Sequence, residues 1–304
     1  MFPQMNPFTL KKHIDYQPYK KISAWRKVSI GTWKSPSEAS IYGAADFEAQ
    51  GILNRIAEFK EEGIKVTPTT IVAKGIANSM AKCPGINGIL RFGRIYRRKD
   101  LDVFLSVSGE DMGDDLSGVT IRNCDKKSFE EISTELSKKA KDVKAGINDE
   151  FKDTKAILNL IPGILIAPIL NFIAFFQYTL NIWSPLLGPR DPMGSVIVTS
   201  MGMFGIDTAF APLIPYSKCP IIFAVGKIAE KPVIVDDKVV IKPFISLNVS
   251  FDHRLMDGRG AGKLLKYMNE FFTELSSETS ARQTQEKVVL QKPENKDLQR
   301  SENE

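Results

Sequence analysis

The sequence predicts an α/β fold, a mixed β-sheet flanked by helices. Three observations carry that expectation. Short apolar or alternating runs at 101–107, 196–199, 221–225 and 245–249 have strand spacing. Longer runs at 46–62 and 68–82 carry apolar residues three and four apart, as one face of a helix does. The two kinds of run are interleaved along the chain, so helices must cover a sheet face.

The elements follow in order. Residues 1–38 are basic and broken by Pro3, Pro7, Pro18 and Pro36, so they read as an irregular arm. Asp46 offers an N-cap for a helix to Glu62, with Ile52, Ile56 and Phe59 on one face and Gly63 as the stop. Thr67 caps a second helix with Pro68 at its first position, ended by Cys83-Pro84-Gly85. Residues 94–98 and 101–107 read as a strand pair. Ser128 and Glu131 form a capping box for a helix running towards Lys144. Runs at 196–199, 221–225, 233–235, 239–241 and 245–249 read as strands, and 260–272 as a last helix. From 276 to 304 the chain is polar, charged and poor in aromatics, the composition of a disordered tail. Residues 39–275 remain as one folded domain.

Composition sets bounds. The chain has 304 residues, 43% of them hydrophobic and 25% charged, enough for a sizeable core. A net charge of +5 does not call for nucleic acid, and none is expected as a partner. Basic residues gather at Lys11, Lys12, Lys20, Lys21, Arg26 and Lys27, and again at Arg91, Arg94, Arg97, Arg98 and Lys99. These clusters are solvated faces and hairpin edges, or they attract phosphates of coenzyme A or of a membrane. Cys83, Cys124 and Cys219 are odd in number and far apart, so neither a disulfide framework nor a metal site is expected. A reducing cytoplasm suits them, and the first residues lack an export signal pattern.

The most informative stretch is Ser250-Phe251-Asp252-His253-Arg254-Leu255-Met256-Asp257-Gly258. Only two histidines occur in the chain, and His253 stands at a strand end on a turn into a helix. A neutral imidazole is the side chain best matched to taking a proton near pH 7. Loops at strand ends are common places for catalytic groups. The bland alternative is a turn histidine with purely structural hydrogen bonds.

These residues resemble the Asp-His-Arg-x-x-Asp-Gly motif of the dihydrolipoamide acyltransferases, the core component of the 2-oxo acid dehydrogenase complexes. Ser195-Val196-Ile197-Val198-Thr199-Ser200-Met201-Gly202-Met203-Phe204-Gly205 resembles a strand and turn of the same family. Residues 101–107 and 117–121 are similar to two further segments, so the resemblance covers roughly residues 39 to 273. It implies a two-layer sandwich shared with chloramphenicol acetyltransferase, and a homotrimer with its site between subunits. It also implies acyl transfer from a thioester donor, acyl-CoA, to an acceptor. His253 would be the general base, and Thr199, where the family uses serine, would hold the oxyanion. Asp257 reads either as a proton acceptor or, as the resemblance favours, as a structural partner of Arg254 that fixes the turn. Gly258 would relieve the backbone there. Ser200, where many members have asparagine, would touch substrate. No metal and no covalently bound lipoate are implied.

Two departures stand out. Nothing before residue 39 looks like a lipoyl or subunit-binding domain. No charged side chain occurs between Lys155 and Arg190, where the family has a shorter polar stretch. The length just reaches the roughly 20 apolar residues of a membrane span, but Pro162 and Pro168 are expected to interrupt any continuous helix. One crossing would also split the fold across the bilayer. Three readings of 156–189 remain: an apolar hairpin that is buried or faces another subunit, an element lying in the plane of a membrane, or a re-entrant pair. A scaffold that keeps the fold without catalysis is the alternative function.

Overall fold

Strand β1 (Ser40–Glu48) opens the part of the chain that the computed structural model describes, residues 39–107, 117–144, 162–184 and 188–290. Next come helices α1 (Gln50–Glu61) and α2 (Pro68–Ala81), the hairpin β2 (Gly88–Arg91) and β3 (Arg94–Arg97), and strands β4 (Val103–Val107) and β5 (Ser117–Ile121). Helix α3 (Phe129–Lys144) precedes α4 (Gly163–Ala174), which continues into a π-helical turn, Phe175–Leu180. The last elements are β6 (Val196–Ser200), β7 (Ile221–Val235), β8 (Lys238–Asp252) and α5 (Gly258–Leu290). The six-stranded sheet runs β1-β8-β7-β6-β4-β5. β6 is parallel to both its neighbours and the other pairs are antiparallel, so the sheet is mixed, as expected.

Alternation along each strand sorts side chains to two faces. Val103, Leu105, Val196, Val198, Ile221 and Phe223 enter the main core with Ile52, Ile71, Ile76, Leu264 and Met268 of the helices. Each such buried side chain contributes about 1.5–3 kcal/mol relative to exposure. Phe104, Ile197 and Ile222 point the other way and form a smaller cluster under Ala211, Leu213 and Ile214. One sheet face is thus helical and the other is covered by the loop before β7.

Two predicted caps are present. The Thr67 hydroxyl accepts from Thr70 N at 3.2 Å. Ser128 Oγ accepts from Glu131 N at 3.1 Å while Glu131 Oε2 accepts from Ser128 N at 2.7 Å, the reciprocal pair of a capping box.

Four expectations are corrected. Asp46 caps no helix; it lies in β1 opposite Ser246, because β1 pairs with β8 along its whole length. Residues 94–97 pair with 88–91 rather than with β4, whose two edges are taken by β5 and β6. Pro168 does not interrupt α4, which runs through it. The polar C-terminal stretch is helical as far as Leu290, since 276–290 contains neither Gly nor Pro and is rich in helix formers. Residues 1–38, 156–161 and 291–304 lie outside the described residues.

Candidate active site

His253 leaves β8 on a turn fixed at both ends. Its backbone N–H donates to the Ala39 carbonyl at 2.7 Å, which ties the turn to the start of β1. Leu255 N and Met256 N both donate to the Asp252 carbonyl at 3.0 Å. The imidazole is exposed, with Nδ1 3.0 Å from the Met256 carbonyl. A carbonyl oxygen only accepts, so Nδ1 carries the hydrogen and the lone pair sits on Nε2. That tautomer is the one a general base needs.

The carboxyl beside it serves the turn. Asp252 is buried and accepts from Arg254 Nε at 2.9 Å and Nη2 at 2.6 Å, and also from Arg254 N at 2.9 Å. Burial alone would raise the Asp252 carboxyl, but these bonds outweigh it and hold it below the usual carboxylate range. Arg254 is therefore the partner of Asp252. The expected Arg254–Asp257 pair is not formed. Asp257 Oδ1 instead accepts from Gly260 N at 2.8 Å and caps α5, whose first residue is Gly258.

Thr199 stands near the end of β6, on the face away from the helices. Ser106 Oγ on β4 donates to Thr199 Oγ1 at 2.8 Å. Thr199 keeps its own hydroxyl hydrogen for a further acceptor. The register continues this row across the sheet: Thr199 lies opposite Ala224, and Ala224 opposite Asn248. Asn248 is buried and donates through Nδ2 to the Asp207 carbonyl at 3.2 Å. Ser200, opposite Val225, is the half-buried last residue of β6.

The same register keeps the two candidate groups apart within one chain. His253 lies five residues beyond Asn248 along β8, and β8 is two strands away from β6. At about 3.3 Å per residue and about 4.8 Å per strand, they are separated by roughly 16 Å along the sheet and 10 Å across it. A single chain does not bring His253 to Thr199.

Ser106 and Asp252 were not among the sequence-predicted site residues. Ser106 alternates with Phe104 in 103–107, so its face was legible once β4 was set beside β6. No local signal names that neighbour. The cysteines offer no nucleophile: all three are buried, and burial pushes Cys124 and Cys219 up to about 12. Among the described residues, no group of three His, Cys, Asp or Glu could hold a metal.

A mixed six-stranded sheet with this helix order is the fold of solved dihydrolipoamide acetyltransferases. The probable enzyme of Listeria monocytogenes 4b F2365 superimposes with a TM-score of 0.59 at 22% identity, over 86% of this chain and 96% of that one. The Azotobacter vinelandii dihydrolipoamide acetyltransferase gives 0.56 at 18%, over 90% and 99%. In sequence, the chain is 22% identical over 222 residues to the lipoamide acyltransferase component of the branched-chain alpha-keto acid dehydrogenase complex of Bacillus subtilis. It is 26% identical over 213 residues to the succinyltransferase component of the 2-oxoglutarate dehydrogenase complex of Staphylococcus saprophyticus. These alignments take 73% and 69% of this chain but only 42% and 39% of the relatives, so the chain spans about two fifths of their length. Residues 31–160 and 187–277 match the 2-oxoacid dehydrogenases acyltransferase (catalytic domain) family, and the chain belongs to it. The gap between the two matched stretches falls on the uncharged segment.

Proposed function

We propose that this chain transfers acyl groups from a thioester donor, acyl-CoA, to an acceptor at a site shared by neighbouring copies in a homotrimer. The observation that carries the reading is the 3.0 Å approach of His253 Nδ1 to the Met256 carbonyl. With Nδ1–H committed to the Met256 carbonyl, Nε2 is free to take a proton. The acceptor's thiol or hydroxyl gives its proton to Nε2 and its heteroatom bonds to the thioester carbonyl carbon. The carbonyl oxygen becomes an oxyanion, and the Thr199 hydroxyl of a neighbouring copy donates to it. Collapse of the intermediate breaks the carbon–sulfur bond, and the departing CoA sulfur recovers the proton from His253. The catalytic mechanism of the Azotobacter vinelandii relative has been probed at a serine, a histidine and an asparagine. This chain supplies a hydroxyl and an imidazole, while Asp257 caps α5 instead.

The separation of Thr199 from His253 supports a shared site, since one chain keeps the two groups apart. The decisive experiment is a thiol-release assay over a panel of acyl-CoAs and acceptors. Chains carrying Thr199→Ala and His253→Ala are expected to be inactive alone and to recover activity when unfolded and refolded together. An enzyme active as a monomer by light scattering would overturn the shared site.

A further inference from the structure

Apart from Asn171, the exposed positions described on helix α4 are apolar. Its inward stripe, Ile169, Leu170, Ile173 and Ala174, is buried or half-buried. A helix docked on a protein by one face ordinarily shows polar residues on the other. Here Leu165, Pro168, Phe172 and Phe175 are exposed along the opposite stripe, at helical spacing. Phe172 is 59% exposed, and Ile182 and Trp183 continue the apolar surface past the π-helical turn. Across residues 156–189 there is no charged side chain to interrupt it.

The β2–β3 hairpin adjoins this surface. Arg91 Nε donates to the Thr179 carbonyl at 3.0 Å, joining the hairpin to the π-helical turn. The hairpin tip carries Phe92, 68% exposed and at positive φ, and Ile95 is exposed on β3. Arg91 and Arg94 stand directly opposite each other in the register, and Arg97 follows. Like charges facing each other across a strand pair are unfavourable. Among the described residues no carboxylate pairs with Arg91, Arg94 or Arg97. By contrast Arg98, just beyond, is paired with Asp191. The cationic edge and the apolar helix therefore lack both an acid and a cover.

We propose that α4 and the β2–β3 hairpin together form a surface that lies in the plane of an anionic lipid bilayer. Exposed aromatic side chains suit the boundary between head groups and acyl chains. Arg94 and Arg97, both exposed, suit lipid phosphates rather than a protein of mixed charge, while the half-buried Arg91 anchors the hairpin to Thr179 and stacks on Tyr96. No described helix is long and apolar enough to cross a membrane, and an in-plane element does not need to be. Of the basic residues just before the segment, Lys139 is held by Glu135 and the Thr120 carbonyl; the cations adjoining α4 are those of the hairpin. The surface also borders the candidate site: a side chain at Gly88 on β2 would come within 3.1 Å of Leu255, in the His253 turn. The proposal does not rest on acyl transfer.

The test is co-sedimentation of the full chain with vesicles of phosphatidylcholine, alone or mixed with phosphatidylglycerol. The wild type is expected to bind the mixed vesicles and to be released by salt. Each basic residue near an anionic surface is worth about 1 kcal/mol, about fivefold in partitioning. The double variant Arg94→Glu/Arg97→Glu is expected to lose more than about 25-fold. Phe92→Ser/Phe172→Ser is expected to lose binding as well, with an unchanged circular dichroism spectrum. A wild type that stays in solution with both kinds of vesicle would overturn the proposal. So would variants that bind like the wild type. A phenylalanine variant with a smaller oligomeric mass, from a parent that binds no vesicle, would show that a second copy of the chain covers this face.

Discussion

Ser106 and Thr199 are joined across the β4–β6 pair by a 2.8 Å hydrogen bond in which Ser106 is the donor. The bond fixes the direction of the Thr199 lone pairs and so of the hydrogen that remains. If that hydrogen meets an oxyanion, Thr199→Ala lowers kcat by about 10²–10³-fold, while Thr199→Ser keeps most of it. Ser106→Ala lowers kcat less, and adds little in the Thr199→Ala background, because the two hydroxyls act as one unit. Steady-state kinetics of the four variants check this.

In the proposed mechanism, His253→Ala removes the group that takes the acceptor's proton. A loss of about 10²–10⁴-fold in kcat/KM is expected, with an unchanged thermal transition. Near-normal turnover would exclude His253 as the base.

Asp257→Ala acts on stability instead. Removing an N-cap acceptor costs about 1 kcal/mol, which lowers Tm by about 2–4 °C in a domain of this size. Turnover per folded molecule stays within about twofold, and Asp257→Asn restores most of the lost Tm, since an amide oxygen accepts from Gly260 N as the carboxylate does. A collapse of kcat in the asparagine variant would mean that Asp257 handles protons.

Arg254→Ala changes the acid limb of the stability curve. The depressed Asp252 carboxyl contributes stability that is present above its unfolded value and is lost as pH falls through the folded one. Without the Arg254 guanidinium, burial is opposed only by the backbone N–H of residue 254 and by His253, and the Asp252 carboxyl rises. The Tm gap between wild type and variant is therefore widest near neutrality and closes as pH falls below about 4. Thermal unfolding between pH 3 and pH 7, with pH itself as the axis, reads the gap directly.

Local chemistry made much of this legible. The caps at Thr67 and Ser128 depend on residues three apart, and both form as the sequence indicates. The strand-to-helix turn at His253 was legible for the same reason. Pairing was not. No element is assigned to residues 39–45 from the sequence and Asp46 reads as a helix cap, because the partner that makes 40–48 a strand lies some 200 residues away. The Asp252–Arg254 pair was missed because Asp257 carries the same charge nearby, and only the turn geometry decides between the two acids. Likewise the partner of Thr199 follows from which strand lies beside β6, and no spacing within a segment announces that.

The long-range closure of the sheet also sets when the chain can finish folding. Among the described residues, β1 is the first strand of the sheet to leave the ribosome, and its one neighbour there, β8, is the last. At about 5–20 residues per second, β1 waits on the order of 10–40 s for its partner. The bond from His253 N to the Ala39 carbonyl closes in that same event. The loop carrying the imidazole is thus among the last parts of the molecule to acquire its shape, and a nascent chain arrested before residue 252 has no fixed position for it. High sequence separation of this kind slows folding, so β1 emerges as an unpaired edge in need of shielding during synthesis.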